Sequence, residues 1–147
     1  MTSVDFYFNA SDKLAVACRL AAKAHAAQHT VLILTPDARA AEQLDRLLWS
    51  HQALSFVPHC LASDALSNET PVLIATPEDP FIERTLMINL APHCPLKFER
   101  FTRLLELVSD EPNDRALGRE RYRFYKDRGY ALTHHDLATR QIGRAHV

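Results

Sequence analysis

Thr30-Val31-Leu32-Ile33-Leu34-Thr35 decides the fold. A continuous apolar, largely β-branched run, bounded by polar residues and too short for a core helix, reads as a strand buried on both faces of a parallel sheet. Pro36 and Asp37 turn the chain into a helix over Ala38–Trp49, with Ala41, Leu44, Leu47 and Leu48 on its inner side. Upstream, Val4-Asp5-Phe6-Tyr7-Phe8 reads as a first strand. An Ala-rich helix from about Asp12 to Gln28, capped by Asn9 or Ser11, carries Leu14, Cys18 and Ala21 or Ala22 at helical spacing. Strand, helix, strand, helix is a βαβ signature with right-handed crossovers. The expected fold is a single-domain α/β protein: a Rossmann-like, mostly parallel sheet flanked by helices.

Downstream the pattern is less regular. Ser55–His59 is a short extended piece ended by Pro58, Ala62–Thr70 a polar loop, and Pro71–Ala75 a strand. Leu86–Leu90 is a further strand candidate, Lys97–Arg103 a short helix carrying Phe98 and Phe101, and Leu104–Val108 a last strand. A helix over Pro112–Tyr130 follows. Pro112 starts it, Asn113 or Asp114 caps it, and Gly129 stops it at C′ with Lys126 and Arg128 in the last turn.

That helix has two unlike sides. At about 100° per residue, Arg115, Arg119, Tyr122 and Lys126 fall within roughly 60° of one another, and Leu117, Phe124 and Tyr125 face the core. A charge run of this kind is ordinarily a solvated face. The aromatic among the cations points further, to a peptide that ends in carboxylates and an apolar side chain. Arg binds carboxylates bidentately and Tyr offers an amphipathic wall.

Composition narrows the function classes. With 147 residues, net charge −1 and 24% charged residues, no global positive field argues for direct contact with DNA. No apolar run is long enough to span a bilayer and no signal-peptide pattern opens the chain, so no membrane partner is expected. Cys18, Cys60 and Cys94 are odd in number and lack CxxC spacing, which places the protein in a reducing compartment, the cytoplasm. Ile142-Gly143-Arg144-Ala145-His146-Val147 reads as translated sequencing-library adapter, so the expected domain is 1–141 and the natural C-terminus is expected to be missing.

No phosphate-cradling loop is present. The first strand-to-helix turn, Asn9-Ala10-Ser11-Asp12, has no glycine to let backbone N–H groups approach a pyrophosphate, and no cofactor is expected. Two rival chemistries are weaker. Pro58-His59-Cys60 and Pro92-His93-Cys94 repeat a tripeptide that offers two His and two Cys, but adjacent His–Cys spacing is unlike common structural zinc sites. His134-His135-Asp136 offers a base and its orienter without a nucleophile elbow. A small metal-dependent or hydrolytic α/β enzyme is the different-class alternative; no catalytic residue and no metal site are assigned.

Three pieces, Leu48-Trp49, Ser55-Phe56-Val57-Pro58-His59, and Arg119-Glu120-Arg121-Tyr122 with Tyr125 and Gly129, carry a resemblance to the chi subunit family of bacterial DNA polymerase III. The resemblance runs over nearly the whole chain and loosens in Ala62–Thr70 and after Tyr130. It implies a non-catalytic accessory subunit of the clamp-loader complex. Such a subunit binds the acidic, Phe-terminated C-terminal tail of single-stranded DNA-binding protein, pairs with the psi subunit, and in some members pairs with a repair helicase, so DNA is contacted only indirectly. The tail-binding positions it carries over are Trp49, Arg115, Arg119 and Tyr122, with Arg115 standing where a lysine is familiar. Trp49 is expected near the basic helix, helping Tyr122 to line a pocket for the last apolar side chain, although a tryptophan at a helix end also commonly caps a core. Phe56, Val57 and Pro58 are a candidate partner interface. A stand-alone repair adaptor paired with a helicase is the nearer alternative.

Overall fold

The computed structural model describes residues 1–51, 57–80 and 82–138. The elements follow in the order β1 (Ser3–Phe8), α1 (Lys13–Ala26), β2 (Val31–Leu34), α2 (Ala38–His51), β3 (His59–Leu61), β4 (Val72–Ala75), β5 (Leu86–Asn89), β6 (Arg103–Leu107), α3 (Pro112–Asp127) and β7 (Ala131–Asp136). Among the described residues they build one seven-stranded sheet of order β3-β4-β2-β5-β6-β1-β7, parallel throughout.

The βαβ reading of the first half holds. Val31 and Ile33 look to one face, with Val72, Ile74, Leu86 and Ile88. Leu32 looks to the other, with Leu73, Met87 and Leu104. Both faces of β2 are therefore core, which is why its sequence shows no alternation. Local chemistry sets the helix ends. The Asp12 carboxylate accepts the Ala15 N–H at 3.2 Å and Asp37 accepts that of Ala40 at 2.9 Å, so Asp12 and not Asn9 or Ser11 caps α1.

Gly129, at φ 81°, closes α3 as expected. The Tyr130 N–H returns to the Tyr125 carbonyl at 3.1 Å and the Gly129 N–H to Lys126 at 3.0 Å, the paired bonds of a Schellman stop. The other end of α3 differs from expectation. Its N-cap is Glu111, without a side-chain cap, and Pro112 opens the helix. Asp114 reaches back to accept the Ser109 N–H at 2.7 Å and meets Lys13 at 3.2 Å. It ties the entry loop to α1 and leaves the helix N–H groups alone.

Crossover direction decides which face each helix covers. β1→α1→β2 and β2→α2→β3 both move toward the β3 edge, while β6→α3→β7 moves the opposite way. Right-handed connections running in opposite directions lie on opposite faces. Accordingly α1 and α2 supply Val16, Ala17, Ala41, Leu44 and Leu48 to one core layer, and α3 supplies Tyr125 to the other with Phe6, Phe98 and Phe101.

Two local expectations are corrected. Lys97–Arg103 is a 3-10 turn over Phe98–Arg100, and Arg103 already belongs to β6. β7 lies where no strand was read, because Ala131–Asp136 is mostly exposed and has no apolar run.

Candidate functional site

α3 turns Gly118, Arg121 and Tyr125 inward, with Leu117, Tyr122 and Phe124 half-buried beside them. Gly118 is needed for close packing: a Cβ there would lie 2.8 and 2.9 Å from the two Cγ atoms of Val108. Arg121, one of the cations in the basic run, is 2% exposed. Its Nε donates to Glu106 Oε1 at 2.9 Å and one terminal nitrogen donates to the Pro92 carbonyl at 2.7 Å. Tyr125 donates its hydroxyl to Glu106 Oε2 at 2.6 Å, and the Asn89 amide donates to Oε1 at 3.0 Å. Burial pushes the Glu106 carboxyl up, against the Arg121 charge and the three hydrogen-bond donors. The Tyr125 phenol is raised strongly, first by burial and then by the carboxylate it serves. These residues lock α3 against β5 and β6 and fix which cations point outward.

The outward row is Arg115, Arg119 and Lys126, all exposed, with Tyr122 at its inner margin. Among the described residues no carboxylate lies within ion-pair distance of these three cations. The Tyr122 ring meets Phe6 edge-on at 5.4 Å, and its hydroxyl is 2.8 Å from His134 Nε2 on β7. Arg115 and His134 share a cleft of 340 Å³ with Phe8, Asn9, Ser109 and Asp136 at the C-terminal ends of β1 and β7. The Asn9 amide donates to the Asp136 carboxylate across its rim at 2.8 Å. Arg128 lies apart from the row, over the Phe124 ring at 3.7 Å from its centroid.

Three of the expected site residues, Arg115, Arg119 and Tyr122, thus share one surface. Trp49 does not join them. It is 60% exposed near the end of α2, its ring 4.9 Å from that of His59 on β3. Six strand-to-strand steps of about 4.8 Å lie between β3 and β7, so Trp49 and the β7 edge are about 25–30 Å apart, on opposite faces of the sheet. Its placement beside the basic helix is corrected by the crossover directions. Of the candidate partner segment, Phe56 lies outside the described residues, Val57 is 3% exposed in the α1–α2 core layer, and Pro58 is half-buried.

The rival chemistries fare differently from the row. Among the described residues no three His, Cys, Asp or Glu side chains gather as a metal set. His135 meets Asp5 at 2.9 Å and stacks on Tyr7 at 4.3 Å, and His134 serves Tyr122, so the His-His-Asp run is divided between the two faces of β7. A larger cleft of 490 Å³ opens over the C-terminal ends of β2 and β4, lined mainly by apolar residues such as Leu34, Ala75, Ile82 and Leu96, with Lys97 at its margin. Glu106 was missed from sequence, Arg121 was quoted only inside the family motif, and His134 was weighed only as a base beside Asp136. The available signal was Glu106 itself, an acid inside Leu104–Val108 that a strand buried on both faces must partner.

Comparisons with known proteins agree on the ancestry. The family model described as "DNA polymerase III chi subunit, HolC" matches residues 1–133. The DNA polymerase III subunit chi of Pseudomonas aeruginosa is 40% identical over 141 residues, covering 93% of this chain and 98% of the relative. That of Escherichia coli is 34% identical over 116 residues, covering 78% and 79%. Among solved structures the chain is similar to the C-terminal domain of the DEAD-box protein Dbp5, with TM-score 0.62, 13% identity and coverage of 94% and 91%. That likeness is of fold alone. With its family match over most of the described chain, this protein belongs to the DNA polymerase III chi subunit family.

Proposed function

We propose that this chain is a non-catalytic clamp-loader subunit that binds the acidic C-terminal tail of single-stranded DNA-binding protein and couples it, through psi, to the polymerase assembly in the cytoplasm. The observation that carries the tail site is the exposed row of Arg115, Arg119 and Lys126 around Tyr122, lacking intramolecular carboxylate partners among the described residues. Arg119, helped by Arg115, pairs with the terminal or preceding carboxylates, and Tyr122 walls the last apolar side chain. Trp49, at the far edge of the sheet, is left out of this tail site. Of the candidate partner segment Phe56-Val57-Pro58, the described part packs inward at Val57, so the partner surface for psi or a helicase is not assigned to it.

Fluorescence anisotropy with a labelled tail peptide tests the reading. A charge-assisted hydrogen bond contributes about 1.5–3 kcal/mol, so Arg119→Ala is expected to weaken binding roughly ten- to a hundredfold. Arg128→Ala, at a residue stacked on Phe124, leaves it nearly unchanged. Binding indifferent to both Arg119→Ala and Tyr122→Ala in folded variants places the site elsewhere.

A further inference from the structure

We propose that the acidic peptide is held as an eighth strand, added along the outer edge of β7 beneath the cation row of α3. The proposal rests on the reading that an acidic tail binds at α3, and it states the backbone conformation and partner surface that this binding uses.

β7 ends the strand order, and among the described residues its strand partner is β1 alone. It is six residues long, against three for β3 at the other edge. Sheet edges are commonly blocked by Pro, Lys or a bulge. Ala131-Leu132-Thr133-His134-His135-Asp136 contains neither Pro nor Lys, and its register with β1 runs unbroken from Ser3↔Ala131 to Phe8↔Asp136. The stretch Ala131–His134 is thus a regular ladder template that nothing in its own side chains closes.

The side chains above this edge choose the peptide. Leu132 and His134 point to the α3 face, where His134 meets Tyr122. A strand laid beside β7 sends every second side chain to that face, at about 6.6–6.8 Å intervals. Arg115 and Arg119 are four residues apart on the helix, about 6 Å along its axis. Carboxylates two positions apart on the peptide therefore match the spacing of Arg115 and Arg119. The cleft that holds Arg115, Phe8 and His134 lies at one end of this track, where a peptide terminus fits. An extended, acidic segment matches the surface in backbone and in charge, whereas a helical segment leaves the edge amides of β7 unused.

The test uses the full chain and a fluorescent nine-residue acidic peptide ending in Phe with a free carboxylate. Single backbone N-methyl groups are placed at each successive position. Strand addition predicts an alternating pattern: tenfold or greater loss at every second position and less than threefold between them. Amide exchange in β7 slows on binding at alternate residues of Ala131–His134. A flat profile, or a loss confined to one position, overturns strand addition. If the unmethylated peptide still depends on Arg119 in that case, the α3 reading stands and only the added strand falls. If the peptide ignores both Arg119→Ala and Tyr122→Ala, the α3 reading itself falls.

Discussion

Arg121 Nε donates to Glu106 Oε1 at 2.9 Å with side chains 3% and 0% exposed, so one arginine of an apparent surface run is a core residue. Two turns of one helix therefore hold arginines of opposite use. Removing one member of a buried pair leaves the other charge unsatisfied, at a cost of about 3–5 kcal/mol. Arg121→Met should lower the unfolding free energy measured by urea titration by that order, and Arg119→Ala should shift it by about 0.5 kcal/mol or less. Equal, small effects of the two substitutions would show that the pair is not holding α3.

Gly118→Ala should destabilise although alanine is the better helix former. The new methyl must displace Val108, whose Cγ atoms would stand 2.8 and 2.9 Å away and whose side chain is itself 1% exposed. Overpacking costs about 1–3 kcal/mol against about 1 kcal/mol gained from helix propensity. The companion change Val108→Ala opens room and should make Gly118→Ala less costly in a double-mutant cycle. Thermal unfolding in which Gly118→Ala raises Tm on its own contradicts the contact.

Acid stability should depend on Asp5 and Asp114. Burial works to raise both carboxyls. For Asp5 the hydrogen bonds and charges of Arg103 and His135 outweigh it, and for Asp114 the Ser109 N–H and Lys13 do so, leaving both below the ordinary range. A depressed carboxyl contributes stability that is complete above its unfolded value, about 3.9, and is lost as pH falls through the folded value. Tm measured from pH 6 to pH 2 should drop below about pH 4, and more shallowly in Asp5→Asn. Parallel curves for the two proteins would count against these contacts.

Cys18 should be the silent thiol. It is fully buried, and burial with Asp12 nearby pushes its thiol up to about 11, Arg19 opposing. Cys60 and Cys94 are half-buried, and burial also raises Cys94. At pH 8 an aromatic disulfide reagent should label Cys60 first and Cys18 only after denaturation. Rapid labelling of Cys18 in the native protein, followed by peptide mapping, would contradict its packing beneath α1.

Legibility from sequence followed how locally each feature was determined. The β2 run and the Gly129 stop are written in adjacent residues, and both were readable. β7 was not, because a one-sided edge strand made of Thr, two His and Asp has the composition of a loop. Helical periodicity grouped Arg115, Arg119 and Tyr122 correctly. It assigned Arg121 no role, because burying it depends on Glu106 arriving from another element. The position of Trp49 depends on strand order, which no local pattern encodes.

The place of β1 between β6 and β7 has a consequence for the protein's birth on the ribosome. Ser3 aligns with Arg103 and with Ala131, partners synthesised 100 and 128 residues after it. β1 must wait for β6 and β7 before either of its edges is paired. Its core residues Val4 and Phe6 stay uncovered until those partners are made, a window in which early strands are open to wrong partners. The β2–β4 half can gather while translation proceeds, but β1 is locked into the sheet only once residues 103–136 are free to pair with it.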